Sequence, residues 1–218
     1  MANPARNSFN MNPKIIPITK DNVGMVADIH YQELSASILS RLGYAFLKEF
    51  YYQGLVESKY FKGFVVLHEG NVAGFIAISL NPGLIFKDLY VRNFFKLSRI
   101  LLVSILRDFR IIKQIFLAAL FLIQQDKVEP DAREILSFAI LNKYRSLEFC
   151  RSTGLRLTNE LFQYALNDQK KTHAKKIFLT VETNNPYARI FYKNMGFTET
   201  LPQNHFGLTS VRCEKVLT

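Results

Sequence analysis

The 218-residue sequence contains only two cysteines, and it lacks an apolar leader and an internal repeat. Cys150 and Cys213 do not have the spacing of a metal site or a redox pair, so cysteine usage gives no indication of an oxidising compartment. The N-terminal stretch has no apolar core and does not resemble a secretory signal. We therefore expect a loose tail over residues 1–13 and a cytoplasmic protein.

A long uncharged apolar run is also missing. Residues 84–128 are rich in leucine, isoleucine and phenylalanine, but charged residues interrupt them repeatedly: Arg99, Arg107, Asp108, Arg110 and Lys113. Since a membrane-spanning helix needs about 20 largely uncharged residues, this segment is predicted to form buried or interfacial helices.

Familiar ligand sets and catalytic triads are absent as well. No Ser-His-Asp or Cys-His arrangement is evident in the sequence. The four histidines lack metal-ligand spacing: His30, His68, His173 and His205. We therefore expect no metal.

What the chain does have is enough apolar residues for one sizeable core, together with a strong positive charge. It is 49% hydrophobic and 21% charged, as is usual for a folded soluble protein, and its net charge is +10. This charge indicates an acidic partner: a nucleotide cofactor, a nucleic acid or an anionic membrane surface. Residues 84–128 alone hold eight basic and three acidic residues. No aromatic-basic motif accompanies them, so a nucleic-acid partner is not expected.

The hydrophobic pattern predicts strands and helices of a single domain. A first strand at residues 14–19 precedes two helical runs, and the second of these spans about residues 35–56. A Gly70-Asn71 turn joins two further strands in a hairpin. Beyond residues 84–128, the pattern predicts a strand at 133–141, a helix at 153–166, a strand at 177–181, a short helix after Pro186, and strands at 197–200 and 208–216.

The most informative segment is residues 181–197, V-E-T-N-N-P-Y-A-R-I-F-Y-K-N-M-G-F. It offers a strand end, a polar turn, a helix started by proline and a Gly-Phe exit. This order resembles a segment of the GNAT superfamily of acyl-CoA-dependent N-acyltransferases, and the matching residues are Asn185, Ala188, Phe191, Tyr192, Gly196 and Phe197. A simpler interpretation is a short helix whose apolar face is formed by Tyr187, Ile190 and Phe191. That interpretation does not account for Asn185 and Tyr192 together.

The segment at residues 133–140 resembles the fourth strand of the same superfamily. There the strand bulges and parts from the fifth strand, so that the pantetheine arm of the CoA thioester pairs with free backbone groups as an added strand would. The matching positions are Phe138, Ala139 and Ile140.

A third resemblance is to the superfamily's phosphate loop, R/Q-x-x-G-x-G/A, which opens a helix whose backbone N–H groups face the pyrophosphate. At that place the chain has Arg151, Ser152, Thr153, Gly154, Leu155 and Arg156. Arg156 replaces the second small residue. A second register that starts at Arg145 fits worse, because it puts Glu148 and Cys150 at the glycine positions.

The resemblance implies a single α/β domain with a GNAT-type mixed, centrally splayed sheet, helices on both faces and a helical insert between the third and fourth strands. It also implies transfer of an acetyl group from acetyl-CoA to an amine acceptor, a small molecule or a protein, in a ternary complex. Tyr192 is then the general acid for the CoA thiolate, and Glu134 is the candidate base. The alternative is a non-catalytic binding protein on the same scaffold, with a phosphate loop that no longer holds CoA.

Two interpretations of the insert stay open. We favour helices that pack over the acceptor side of the sheet, since buried amphipathic helices are the commoner kind. In the other interpretation, Phe94, Phe95, Leu101 and Leu102 enter lipid while neighbouring basic residues meet anionic headgroups, which would be a peripheral membrane contact.

Overall fold

A mixed sheet of eight strands lies at the centre of the computed structural model, which describes residues 13–107, 131–205 and 208–217. The order across the sheet is β1-β2-β3-β4-β5-β8-β6, and β7 also pairs with β8. Neighbours are antiparallel except β4 and β5, which are parallel. The strands are β1 (Lys14–Pro17), β2 (Phe61–His68), β3 (Asn71–Ser79), β4 (Ala132–Ile140), β5 (Lys176–Glu182), β6 (Thr198–Glu199), β7 (Gln203–His205) and β8 (Leu208–Val216).

Helices cover both faces of this sheet, as predicted. The helices are α1 (Val23–Glu33), α2 (Ile38–Arg41), the π-helical α3 (Phe46–Tyr52), α4 (Gln53–Val56), α5 (Pro82–Arg107), α6 (Asn142–Arg145), α7 (Leu147–Thr153), α8 (Leu157–Lys170) and α9 (Pro186–Asn194). Helices α1 to α5 pack on one face, where they meet Val65 and Phe75. Helices α8 and α9 pack on the other face, where they meet Phe64 and Ile76. Strands β2 and β3 thus supply alternate residues to two cores.

The predicted hairpin is confirmed, with its turn one residue earlier than expected. His68 pairs with Asn71, so Glu69 and Gly70 are the central residues of the turn. Both have positive φ angles, 50° and 78°, which is the conformation that matches the twist of hairpin strands. The prediction of one helical run over residues 35–56 is wrong. Gly43 has a φ of 99° and separates α2 from α3.

Two other details differ from the sequence prediction. The helix expected at residues 153–166 begins at Leu157, and α6 and α7 precede it. In α9, Tyr187 and Ile190 are exposed, whereas Ala188, Phe191 and Tyr192 pack on the core. The simpler interpretation, with Tyr187 and Ile190 on the buried face, is therefore wrong for those two residues.

The first part of the predicted insert is α5. Gly54 allows α5 to approach α4 closely, since a β-carbon at Gly54 would lie 2.3 Å from Leu89 Cδ1. Asn93 is buried at a kink, with φ −114° and ψ 21°, and donates a hydrogen bond to the Leu89 carbonyl at 3.1 Å. The rest of the insert, residues 108–130, and the tail up to residue 12 lie outside the described residues. Among the helices described, none combines the length and the apolar character needed to traverse a bilayer.

The sheet opens between β4 and β5, as the resemblance implied. These two strands pair at only three positions, and the last pair is Glu134 with Phe178. Beyond it, β4 stays paired with β3 as far as Ile140. The mixed, centrally splayed sheet is therefore confirmed.

A bulge accompanies this separation. Ser137 pairs with Ala77 and Ile135 with Ile78, so Leu136 is an extra residue on β4. Such a bulge reverses the alternation of side chains along a strand. As a result, Ser137 lies on the same face as Glu134, toward α3.

Gly74 fixes the far end of β4, and its replacement tests this contact. Gly74 lies opposite Ile140, and a β-carbon there would sit 2.6 Å from the Ala139 carbonyl oxygen. We expect Gly74→Ala to lower the free energy of unfolding by about 1–3 kcal/mol, because the backbone of β4 must shift. Urea denaturation measures this change.

Gly83→Ala is the matched control. Gly83 lies in the first turn of α5, and the nearest atom to its β-carbon would be Asn81 Oδ1 at 3.6 Å. A helical glycine replaced by alanine is expected to be neutral or slightly stabilising. An equal decrease in the free energy of unfolding in the two variants would contradict the conclusion that Gly74 is required by its close contact with β4.

Candidate active site

The open side of β4 is the centre of the candidate site. Phe138, Ala139 and Ile140 pair with β3 on one side. Among the strands described, none pairs with these three residues on the side of β5, because that pairing ends at Glu134. Their backbone groups can therefore pair with an added extended chain. The structure thus places three of the predicted cofactor-binding residues along the opening.

Aromatic side chains connect this opening to α9. Phe138 stacks on Phe191 with ring centroids 5.8 Å apart, and both rings contact Phe162 of α8. Tyr192 also packs on Phe162, at 5.7 Å between centroids. This cluster holds α9 against α8 and β4, so Tyr192 has a fixed position beside the opening.

Tyr192 is a protonated hydrogen-bond donor at neutral pH. Burial is the main cause that raises the pKa of its hydroxyl, and the nearby Cys213 thiol adds to the effect. Asn185 caps the N-terminus of α9. Its side-chain oxygen accepts a hydrogen bond from the Ala188 N–H at 3.1 Å, and Pro186 follows at the first helical position. The observed role of Asn185 is therefore to begin α9 and so to position Tyr192.

Glu134 stands where the two strands part. Its side chain is only partly exposed, and burial raises the pKa of the carboxyl to about 7, while the Arg212 guanidinium opposes the shift. Arg212 lies over the ring of Phe178 at 3.7 Å and forms an ion pair with Glu214. A carboxyl that titrates near neutrality can exchange a proton with a bound group at physiological pH.

Polar groups around Glu134 were missed by the sequence analysis. Ser79 is paired with Glu134 across the strands and is fully buried, and its hydroxyl has no hydrogen-bond partner within the described residues. Tyr51 of α3 is buried and interacts electrostatically with Glu134. Tyr51 lies in the helical run predicted over about residues 35–56, and no local motif links it to a strand far along the chain.

A buried polar chain continues from Ser137 toward α2. Tyr52 lies beside Tyr51 and near Ser137, and its hydroxyl lies 2.5 Å from His30 Nδ1. His30 Nε2 in turn lies 3.1 Å from Ser37 Oγ. Burial lowers the pKa of His30 to about 4, so its ring is neutral at physiological pH. This histidine serves as a hydrogen-bonding group of the core.

The predicted phosphate loop is shorter than expected. Arg151, Ser152 and Thr153 belong to the last turn of α7, and Leu155 and Arg156 complete the connection to α8 after Gly154. Gly154 has a φ of 73°, and its N–H donates to the Cys150 carbonyl at 3.0 Å. It therefore ends α7 as a left-handed cap. A β-carbon at Gly154 would meet open space, so crowding does not require a glycine here. The positive φ angle is what favours glycine at this position.

The N-terminus of α8 offers unpaired donors. The N–H groups of Leu157, Thr158 and Asn159 have no partner in the part of the chain that is described, as is usual for the first turn of a helix. The Arg156 N–H donates to the Glu160 carboxylate at 3.3 Å. Because α8 has 14 residues, its dipole also favours an anion at this end.

The second register of the phosphate loop is not compatible with this geometry. It would place Glu148 and Cys150 in a loop that exposes backbone donors, and both lie inside α7. The register that begins at Arg151 leads directly to the N-terminus of α8, so we keep that one.

Solved structures match this architecture, although no protein-family model matches the sequence and no curated protein is detectably similar to it. A mutant form of the spermidine/spermine N-acetyltransferase from Vibrio cholerae superposes with a TM-score of 0.53 at 14% identity, over 94% of this chain and 95% of that one. The ribosomal-protein-S18-alanine N-acetyltransferase from Escherichia coli gives 0.53 at 11% identity, over 94% of each chain. A putative acetyltransferase of the GNAT family from Desulfovibrio desulfuricans gives 0.57 at 9% identity, over 94% and 99%. The chain has the GNAT fold.

The GNAT fold accounts for the position of each predicted segment. The opening of the sheet begins after Glu134 of β4. Beyond it, Phe138 contacts Phe162 of α8 and Phe191 of α9, so both helices lie beside the opening. At these sequence identities, 9–14%, the likeness extends to the fold alone.

The raised pKa of Glu134 predicts a pH-dependent stability. Between pH 4.5, the ordinary pKa, and about 7, the folded protein holds a proton that the unfolded chain has lost. The stabilisation by the neutral carboxyl is therefore complete below the ordinary pKa and is lost as the pH rises through about 7. In Glu134→Gln the side chain stays neutral, so the stability of this variant relative to the parent should rise by about 1–3 kcal/mol over that range.

Urea denaturation at a series of pH values measures this difference. Glu57→Gln is the control with the opposite sign, because a hydrogen bond from Lys20 lowers the pKa of the Glu57 carboxyl. For Glu57, the advantage of the parent should shrink as the pH falls. A Glu134→Gln difference that does not change with pH would show that this carboxyl has an ordinary pKa.

Proposed function

We propose that the protein is an N-acetyltransferase that moves an acetyl group from acetyl-CoA to an amine. The observation that carries this proposal is the opening between β4 and β5, beside which α8 and α9 pack through Phe162 and Phe191. Two solved neighbours are named as acetyltransferases of amines, namely spermidine or spermine and an alanine of ribosomal protein S18. Their names support an amine as the acceptor here.

The donor would occupy the opening as an additional strand. Its pantetheine arm would pair with the backbone of Phe138, Ala139 and Ile140, which lack a partner among the described strands on that side. Its pyrophosphate would then reach the first turn of α8, where unpaired N–H groups and the helix dipole favour an anion. Arg151 and Arg156 flank this turn and are exposed, so both guanidinium groups are available to the phosphates.

The reaction would be a direct attack in a ternary complex. The acceptor amine must lose a proton before its nitrogen forms a bond to the thioester carbonyl carbon and the C–S bond breaks. Glu134 is the proposed acceptor of that proton, because its carboxyl has a pKa of about 7 and stands at the inner end of the opening.

Tyr192 would stabilise the departing thiolate. Its pKa is raised, whereas a thiol ordinarily has a pKa of about 8.5. The phenol therefore acts by donating a hydrogen bond to the developing thiolate more than by complete transfer of its proton. Its packing on Phe162 and Phe191 holds the hydroxyl in place for this purpose.

The first test is the binding of acetyl-CoA. We expect calorimetry to detect binding, and the double variant Arg151→Ala, Arg156→Ala to bind roughly tenfold more weakly, since it loses two charged donors near the pyrophosphate. Lys170→Ala, Lys171→Ala is the matched control: it removes the same charge at the other end of α8, about 20 Å away.

The outcome separates the proposal from its alternative. Equal weakening in both double variants would mean that net charge, and not a local site, governs binding. If acetyl-CoA does not bind to the parent protein, the non-catalytic scaffold is favoured. The observation that supports this alternative is Arg156, which replaces the second small residue of the phosphate loop.

The second test concerns Tyr192. Tyr192→Phe keeps the ring and its contacts and removes only the hydroxyl. We expect kcat for acetyl transfer to fall roughly 10²-fold with little change in acetyl-CoA affinity. Single-turnover measurements with a panel of amine acceptors provide the rate. Unchanged turnover while chemistry is rate-limiting would remove Tyr192 from the mechanism.

A further inference from the structure

Within the described residues, helix α5 is attached to the core through one face. Leu89 and Ile100 on this face are buried in the core next to α3 and α4. Arg92 reinforces the attachment, since its guanidinium donates to the backbone carbonyls of Gly54 and Glu57. The opposite face of α5 is therefore held in a defined orientation.

That opposite face is apolar and exposed. Its residues recur at the spacing of one side of a helix, and their exposed fractions are 72% for Val91, 60% for Phe94, 87% for Phe95, 59% for Leu102 and 78% for Leu106. We call these five residues the apolar stripe. The stripe runs about 22 Å along the helix. The exposed Ser98 lies between Phe95 and Leu102 on the same side of the helix. Large exposed apolar side chains gathered on one face of a folded protein mark an interaction site.

The charge next to the stripe is positive. Within α5, the sequence has five basic residues and a single acidic residue: Lys87, Arg92, Lys96, Arg99 and Arg107 against Asp88. Arg92, Lys96 and Arg99 follow one another at helical spacing along one edge. Arg99 stays 71% exposed although its guanidinium lies 3.2 Å from the Glu49 carboxylate. Exposed pairs of this type are weak, so Arg99 remains available to another anion, whereas Arg92 is held by Asp88 and by the carbonyls of Gly54 and Glu57.

These two features identify the kind of partner. An amphipathic surface with large apolar side chains and a basic border fits the boundary between acyl chains and anionic headgroups. A second copy of this chain is disfavoured electrostatically, because it also carries a net charge of +10.

We propose that the apolar stripe of α5 docks the protein on an anionic lipid bilayer, with α5 parallel to the membrane plane. Phe94 and Phe95 then lie at the headgroup boundary, and Lys87 and Arg99 contact lipid phosphates. The proposal does not depend on acetyl transfer.

Vesicle flotation with the full chain tests this proposal. Two vesicle types are used, phosphatidylcholine alone and an equimolar mixture of phosphatidylcholine and phosphatidylglycerol, each at low and high salt. We expect the parent protein to float with the mixed vesicles at low salt, and both phosphatidylcholine alone and high salt to reduce the bound fraction strongly.

Variants on the exposed surface locate the contact. The double variant Phe94→Ser, Phe95→Ser should weaken partitioning into the mixed vesicles by roughly tenfold or more, since two large apolar groups no longer leave water. Lys87→Glu, Arg99→Glu should weaken it by a similar factor. Leu201→Ser is the control, because Leu201 is 85% exposed and lies in a different part of the chain.

Several results would overturn the proposal. Absence of binding to the mixed vesicles would exclude the lipid surface. Equal partitioning of the Phe94→Ser, Phe95→Ser variant and the Leu201 control would place the contact elsewhere. A concentration-dependent dimer that disappears in the phenylalanine variant, without vesicle binding, would assign the stripe to a second copy of the chain instead.

Discussion

The brief parallel pairing of β4 with β5 is the constraint on which the rest of the site depends. After Glu134 the backbone of β4 loses its neighbour on one side, although it remains bound to β3 on the other. Unpaired strand edges inside a protein are costly unless something covers or uses them. Here the aromatic cluster of Phe138, Phe162 and Phe191 packs beside the gap, so apolar contacts maintain an opening that hydrogen bonds would otherwise close.

The bulge at Leu136 determines the chemical character of the two sides of β4. Without an extra residue, the strand would alternate regularly, and Phe138 would share the face of Glu134. With the bulge, Phe138 faces α8 and α9, while Ser137 joins Tyr51 near Glu134. One side of the strand is therefore aromatic and the other is polar. The polar side is nevertheless buried enough to raise the pKa of the Glu134 carboxyl to about 7.

The sequence indicated the elements of the fold better than it indicated the polar surroundings of the site. Local patterns were sufficient for the hairpin and for α9, because Asn185, Pro186 and Gly196 carry the start and stop signals of that helix within a dozen residues. They were not sufficient for α7. Its start depends on the Ser146 hydroxyl, which accepts a hydrogen bond from Phe149, and its end depends on Gly154, which was interpreted as a phosphate-loop glycine.

The neighbours of Glu134 could not be predicted for a different reason. Ser79 and Tyr51 approach it only through the register of β3 with β4 and the packing of α3 on the sheet. Neither relation leaves a trace in the spacing of residues along the chain. Burial is likewise a property of the assembled core, so the raised pKa of Glu134 could not follow from its sequence context.

The connection between β3 and β4 has an evolutionary consequence. These strands are adjacent and antiparallel, yet roughly fifty residues separate them, and the cost of closing such a loop exceeds that of a five-residue turn by only about 2 kcal/mol. The pairing of β3 with β4 can therefore form with connections of very different length. The close contact of Leu89 with Gly54 ties the start of the present connection to the body of the protein. Replacement of the segment between β3 and β4 would therefore change the surface that covers the sheet and leave the strands on either side of its opening unchanged.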